Sequence, residues 1–147
     1  MPVSASDISR VIPPNTIRIA AAVLIAPDGQ TLLVRKRGTQ AFMQPGGKID
    51  AHEQPIEALV RELQEELALA IDPTRATYLG HFCAPAVNEP GFDVQAELFL
   101  LHIDAVVSPA AEIEEVQWID PQGDGGLTLA PLTRDVILPF YRQIIPA

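Results

Sequence analysis

Cysteine is nearly absent from this 147-residue chain, which contains only Cys83. A single cysteine cannot form an internal disulfide, and the residues around it lack the spacing of a metal-binding thiol cluster. The chain is still long enough to bury a core without covalent or metal crosslinks. We therefore expect a single domain over residues 1–147, in a reducing compartment, with the cytoplasm as its location.

Basic residues are also few. The chain has 10 Lys and Arg against 19 Asp and Glu, which gives a formal net charge of −9. Binding along a nucleic-acid backbone needs a basic surface, so neither general nucleic-acid binding nor binding to an anionic membrane is expected. The chain can hold an anionic small molecule if a cation lies between the two negative charges.

No apolar run has the length of a membrane span, which takes about 20 residues. The stretch Ile19–Ala26 resembles the apolar centre of a signal peptide. It is followed, however, by the turn signal Pro27-Asp28-Gly29 and by a second β-prone run. We interpret the two runs as a hairpin that belongs to the folded domain, and no membrane contact is predicted.

The pattern of apolar residues predicts strands on both sides of one amphipathic helix. The helix starts at Pro55, carries apolar residues three and four apart, and ends near Leu69 or Ala70 because Asp72-Pro73 forbids its continuation. A second helical stretch, Leu132–Ile145, is predicted to kink or break at Pro139. Strands are predicted at Ile17–Ala26, Thr31–Arg37, Ala76–Ala84, Val94–Ile103 and Glu115–Ile119.

Two segments are predicted to be irregular. Residues 1–15 lack periodicity and form an N-terminal arm, and residues 38–53 contain Pro45-Gly46-Gly47 and form a loop. The order of elements indicates an α/β or α+β domain with a mixed sheet.

Three carboxylates share one face of the central helix. At about 100° per residue, Glu62, Glu65 and Glu66 fall within an arc of roughly 100° beside the apolar stripe. Gly46-Gly47 lies shortly before the helix and permits a sharply turned backbone whose carbonyls can face a ligand. Such an all-oxygen set suits Mg²⁺ or Mn²⁺. Taken separately, the glutamates are better explained by a solvated acidic face and the glycines by an ordinary tight turn.

Together these residues resemble the Nudix box, G-x5-E-x7-R-E-U-x-E-E-x-G-U, in which U is a bulky apolar residue. The match runs from Gly47 through Glu53 to Arg61-Glu62-Leu63-Gln64-Glu65-Glu66-Leu67-Ala68-Leu69, and only Ala68 departs from the pattern, in place of a glycine. The flanking segments 42–47 and 112–118 also resemble small Nudix proteins. The resemblance implies a Nudix-type α/β/α sandwich with a mixed sheet.

The resemblance also implies roles for the box residues. Glu62, Glu65 and Glu66 would bind Mg²⁺ or Mn²⁺ with help from the Gly46 carbonyl, while Glu53 and Arg61 would pair as a structural clamp. The implied reaction is metal-dependent hydrolysis of the pyrophosphate bond in a nucleoside diphosphate linked to another group, with a glutamate as general base.

The base is left open between Glu62 and a carboxylate from a later strand or loop. Glu97 is the candidate we carry forward as catalytic, and Glu112 and Glu115 are also available. For each of these three, a solvated strand or turn residue is the competing explanation. Arg35, Arg37 and Lys48 are candidate substrate-phosphate contacts, and solvated strand-end charges are the alternative for the two arginines.

Three functions compete at this point. A pyrophosphohydrolase, acting on a small nucleotide of the ADP-ribose or nucleotide-sugar type rather than on a triphosphate, is the first. A non-catalytic nucleotide-sensing module on the same fold is the second, although it would normally have lost box carboxylates that are intact here. The third is an acidic domain for protein contacts, which would not explain the position of Gly46-Gly47. A homodimer is kept as a candidate assembly.

Overall fold

A computed structural model describes residues 14–86 and 89–145 of the chain. The predicted N-terminal arm therefore falls almost entirely outside the described residues. Within them, no helix is long and apolar enough to cross a membrane.

The described residues build one seven-stranded mixed sheet. The strand order is β3-β2-β1-β6-β5, while β4 pairs with β1 and β7 pairs with β2. The central pair β1 and β6 is parallel over ten residue pairs, and the other pairs are antiparallel. The strands are β1 (Thr16–Ile25), β2 (Thr31–Lys36), β3 (Phe42–Met43), β4 (Gly46–Lys48), β5 (Thr77–Pro85), β6 (Asp93–His102) and β7 (Ile113–Ile119).

Helices cover both faces of this sheet. Strand β1 is buried from Ala20 to Ile25 because its even-numbered side chains face the central helix and its odd-numbered ones face the C-terminal helical segment. A strand covered on both sides is apolar throughout, which accounts for the run that resembled a signal peptide. The predicted α/β/α sandwich is confirmed.

The central helix, α1 (Pro55–Leu67), begins with a capping box in which the Gln54 N–H donates to Glu57 Oε1 at 2.8 Å. It ends two to three residues earlier than predicted. Ala68 adopts a left-handed conformation with φ of 52°, and the Leu69 N–H donates to the Leu63 carbonyl at 3.2 Å. This arrangement closes the helix before the Asp72-Pro73 stop is reached.

Each of the five predicted strands is present, with ends that differ by at most two residues. The prediction of a loop over residues 38–53 was wrong in part, because β3 and β4 lie within it. Both are two- or three-residue strands whose backbones pair with longer neighbours, and such pairing leaves no periodicity in the sequence.

The C-terminal helical stretch is interrupted upstream of Pro139 rather than at it. A π-helix covers Leu132–Ile137, and α2 (Leu138–Ile144) follows with Pro139 in its first turn. Proline lacks an N–H and its ring crowds the carbonyl four residues earlier, so the wider bonding of the preceding turn accommodates it.

Candidate functional site

Helix α1 and strand β4 meet where Glu62 lies against Gly47. An ideal Cβ on Gly47 would lie within 2.7 Å of both carboxylate oxygens of Glu62. A side chain at this position would therefore overlap the carboxylate. The absence of a side chain on Gly47 allows the helix and the strand to approach this closely.

Arg61 braces the loop before α1 against the helix. Its guanidinium donates two bonds of 2.9 Å to Glu53, one of 3.0 Å to the Lys48 carbonyl and one of 2.7 Å to Glu62 Oε1. The two-pronged bond from Arg61, followed by the bond from the Asp50 N–H, lowers the pKa of Glu53 to about 2. These contacts are those expected of the structural clamp, and they also show that Arg61 holds Glu62.

Glu66 has the opposite environment. Its side chain is 2% exposed, and neither carboxylate oxygen has a hydrogen-bond partner among the described residues. Burial is the main reason that its pKa rises to about 8, and the charges of Glu62 and Glu112 add to that rise. Lys36 and the nearby Gly46 backbone N–H act in the opposite direction without forming a hydrogen bond. A buried carboxylate without a hydrogen-bond donor is costly to ionise, and a positive charge next to it would offset that cost.

The backbone of Gly46 faces the same region. Backbone hydrogen bonds between β1 and β4 join Pro45 to Ala22 and Ile49 to Arg18. Such bonds alternate along an antiparallel pair, and Gly46 lies opposite Ala21 between them. The N–H and C=O of Gly46 therefore point away from β1. Its φ of 148° is rarely adopted by other residues, and a Cβ there would overlap the Ala20 carbonyl. The Gly46 carbonyl is thus available on the side where Glu66 lies.

Glu62, Glu65 and Glu66 share a helix face as predicted but differ in their surroundings. Glu65 is 54% exposed and lies 3.6 Å from Arg61 Nη1, while Glu62 is held on Arg61. In residues 14–86 and 89–145, no three or more carboxylate, imidazole or thiol side chains are gathered in a geometry that holds a metal ion. The unpartnered oxygens of Glu66 and the carbonyl of Gly46 are nevertheless hard donors that fit a divalent cation.

Lys36 is the basic side chain that acts on Glu66. It forms an ion pair of 3.4 Å with Glu112, and its charge lowers the pKa of Glu66. Glu112 follows a loop whose backbone docks on the end of α1, where the Ala110 N–H donates to the Glu66 carbonyl at 2.8 Å. The end of β2, the end of α1 and this loop therefore converge on Glu66.

Of the three residues predicted to contact substrate phosphates, the two arginines and Lys48 lie in different places. Arg35 donates to Glu115 and to the Thr39 carbonyl, and Arg37 is 69% exposed and donates to the Ala111 carbonyl. The structure does not bring either arginine to the box glutamates. Lys48 lines a cleft next to β4.

The three candidate bases from later in the chain, Glu97, Glu112 and Glu115, also lie in different surroundings. Glu97 lies on β6 beside Ala20, which has Gly47 on its other side, so the sheet register brings Glu97 to the α1 face. There it accepts a 2.5 Å bond from Tyr78 and lies 3.5 Å from Arg18. Glu115 is bonded to Arg35 and Gln117. Of the three candidates, only Glu112 is coupled to Glu66.

The cleft lies on the opposite face of the sheet from α1 and is bounded at β4 by Gly47, against which Glu62 lies. Its volume is about 180 Å³, and Lys36, Gly46 and Gly47 line it. Two buried polar residues also line it, and Thr133 Oγ1 donates to Gln44 Oε1 at 2.7 Å. A ligand in this cleft can extend past Gly46 toward Glu66.

Sequence reasoning missed Lys36, Gln44 and Thr133. Alternation along β2 puts Lys36 on the same face as Leu32 and Val34, which pack against α1, so the signal was present for Lys36. Gln44 and Thr133 are 89 residues apart, and no spacing in the sequence connects them.

The NUDIX domain family model matches residues 15–127 of the chain. The chain is 32% identical over 112 residues to an octanoyltransferase of Myxococcus xanthus, a match that covers 74% of this chain and 31% of that protein. It is 42% identical over 57 residues to an 8-oxo-dGTP diphosphatase of Haemophilus influenzae, covering 36% of this chain and 42% of that protein. The matches thus span less than half of either relative, and the activities of those proteins do not transfer with them.

Solved structures agree with the family model. A MutT NUDIX hydrolase from Burkholderia pseudomallei superposes with a TM-score of 0.69 at 26% identity, covering 81% of this chain and 93% of that one. The sheet and the box helix are those that the resemblance implied. By its family model and its fold, the chain belongs to the Nudix family.

Proposed function

We propose that the chain is a Nudix pyrophosphohydrolase that uses a divalent cation to cleave a nucleoside diphosphate linked to another group. One observation carries the proposal: the Glu66 carboxylate is buried on the box helix without a partner among the described residues, beside the Gly46 backbone, which also lines the cleft. A charge with no role in the fold would be costly to bury there.

Glu62, Glu65 and Glu66, with the Gly46 carbonyl, would hold the cation, as members of this family generally require one. Mg²⁺ and Mn²⁺ both suit these oxygen donors. When bound, the cation would neutralise charge on the diphosphate and lower the pKa of a water. Arg61 holds Glu62 against Gly47, and the same carboxylate would be a ligand of the cation.

Lys36 is the phosphate contact that the structure favours. It lines the cleft and interacts with Glu66, so a phosphate between the cleft and Glu66 passes its ammonium group. Lys48 lies on the cleft wall and is a second candidate. Arg35 and Arg37 remain weaker proposals, because neither side chain lines the cleft.

The general base is proposed among Glu62, Glu112 and Glu97. Glu62 lies over Gly47 at the site, and Glu112 is coupled to Glu66. For Glu97 to act as base, its carboxylate must be released from Tyr78 and Arg18. To identify the base, each of the three glutamates is replaced by Gln and the pH dependence of kcat is measured. Replacement of the base should abolish the decrease of kcat at low pH, because that decrease reports protonation of the base.

The substrate class is open to test. The net charge of −9 favours a diphosphate with a neutral or sugar-like second group over a dense polyphosphate. Similarity to the Haemophilus influenzae 8-oxo-dGTP diphosphatase favours a triphosphate instead. The cytoplasm, as expected from the single cysteine, is part of this proposal.

The test compares initial rates on ADP-ribose, nucleotide sugars, nucleoside triphosphates and dinucleoside polyphosphates at fixed free Mg²⁺ or Mn²⁺. Glu66→Gln should lower turnover by about a hundredfold or more, whereas Glu114→Gln, an exposed charge on β7, should change it little. Absence of metal-dependent phosphate or nucleotide release from every compound would reject the proposal. A preference for triphosphates would retain the enzyme and overturn the ranking of substrates.

A further inference from the structure

Gln44 and Thr133 form a buried polar pair in the wall of the cleft. Gln44 is 6% exposed and Thr133 1%, and Thr133 Oγ1 donates to Gln44 Oε1 at 2.7 Å. The other end of the carboxamide, Nε2, has no hydrogen-bond partner in the described part of the chain. A buried amide N–H without an acceptor is costly, and native structures normally satisfy such a group.

The backbone keeps this pair in place. Gln44 lies between β3 and β4, with Pro45 and Gly46 directly after it, and Thr133 lies in the π-helix. The Thr133 hydroxyl donates to Oε1, which leaves Nε2 as the end of the carboxamide without an acceptor in the described part of the chain. Because both residues line the cleft, a bound ligand can supply that acceptor.

The other cleft walls are mostly apolar. Ile17, Ile19 and Ala21 of β1 form one wall, and Leu132 and Ile137 of the π-helix form another. Apolar walls with one oriented polar group suit an uncharged planar ring that carries a hydrogen-bond acceptor. The phosphates of the same ligand would extend toward Lys36 and Gly46, which also line the cleft.

We propose that Gln44, oriented by Thr133, is a specificity-determining residue that donates from Nε2 to a carbonyl oxygen of a nucleobase bound in this cleft. The inference rests on the proposed function, since it identifies the part of the nucleotide that the cleft binds. A base with an amino group at that position would place two donors against each other and would be disfavoured.

Matched nucleotide pairs test this contact for purines and pyrimidines alike. IMP and AMP differ by a carbonyl in place of an amino group, as do UMP and CMP. Their dissociation constants are measured by calorimetry in the presence of a chelator, so that neither hydrolysis nor metal is needed. In at least one pair the carbonyl member should bind roughly tenfold tighter to the unmodified chain.

Variants then assign the preference to the pair. Gln44→Met keeps the length of the side chain without its donor and should bring the affinity ratio of that pair to about one. Thr133→Val should reduce the ratio because the carboxamide can rotate, and Thr133→Ser, which keeps the hydroxyl, should restore it. Gln117→Met on β7 is the control and should leave the ratio unchanged, since the Gln117 side chain bonds only Glu115 within the described structure and does not line the cleft.

Equal affinities within both pairs for the unmodified chain would overturn the proposal. So would a Gln44→Met or Thr133→Val variant that binds all four nucleotides more weakly by the same factor, because that result assigns the pair to packing. A ratio that changes as expected in a chain that hydrolyses no diphosphate would support the base contact and reject the proposed function, so the two failures are distinguishable.

Discussion

Replacing Glu66 by Gln should change the way in which the stability of the metal-free protein depends on pH. The pKa of Glu66 rises from 4.5 to about 8, chiefly because the carboxylate is buried away from water. Between these two values the unfolded chain releases its proton while the folded chain keeps it. Stability from this group is therefore complete below pH 4.5 and is lost as the pH rises through 8.

The size of the effect follows from the same shift. At about 1.4 kcal/mol for each pH unit, a rise from 4.5 to about 8 amounts to roughly 3 to 5 kcal/mol at pH values above 8. Glutamine carries no charge but brings an amide that is itself buried without a partner, which costs about 1 to 3 kcal/mol at every pH. The difference in stability between Glu66→Gln and the unmodified chain should thus favour the variant increasingly as the pH rises.

Urea unfolding at pH 5, 7 and 9 with a chelator measures this difference. The control is Glu65→Gln, a replacement on the same helix face at a residue that is 54% exposed. In a second series with Mg²⁺ or Mn²⁺, the unmodified chain should gain stability most at high pH, where Glu66 is ionised, and Glu66→Gln should gain much less. Stability curves for Glu66→Gln and the unmodified chain that run parallel from pH 5 to 9 would refute the account of a buried, unpartnered carboxylate.

Three further predictions concern the box. Ala68→Gly should raise the free energy of unfolding by about 0.5 to 1 kcal/mol and the melting temperature by about 2 °C, because glycine adopts a φ of 52° without strain. The control, Ala70→Gly, should lower both quantities, and equal effects of the two variants in calorimetry would contradict this explanation. Gly47→Ala should displace the Glu62 carboxylate, so steady-state rates should fall by more than the loss of melting temperature accounts for; unchanged rates would exclude the close contact. Arg61→Ala should lower both the melting temperature and the rate, whereas Glu62→Gln should lower mainly the rate. Equal losses of stability in the two variants would contradict the assignment of a structural role to Arg61 and a functional role to Glu62.

The sequence predicted the parts of the fold that rest on periodicity. The α1 stripe and the apolar run of β1 each carry a local signal of burial. Strands β3 and β4 carry no such signal, because each is defined by pairing with a longer strand and is too short to show alternating apolar and polar residues. The end of α1 was missed because an alanine occupies the left-handed position where a glycine would have marked it.

The candidate site divides in the same way. Helix geometry was enough to group Glu62, Glu65 and Glu66, and the box pattern was enough to pair Glu53 with Arg61. Their different environments were not predictable, because burial of one carboxylate depends on Gly46, on the end of β2 and on the loop before β7.

The contrast between Glu62 and Glu66 suggests an order of events at the site. Glu62 already forms an ion pair with Arg61, whereas the Glu66 carboxylate has no hydrogen-bond partner among the described residues and is costly to ionise even with the charge of Lys36 nearby. If a cation binds at this site, it would gain most at Glu66, because it would stabilise the ionised form of a buried carboxyl group there, whereas at Glu62 it would have to replace the existing ion pair with Arg61. Under the proposed function, Arg61 and the cation would therefore compete for the Glu62 carboxylate.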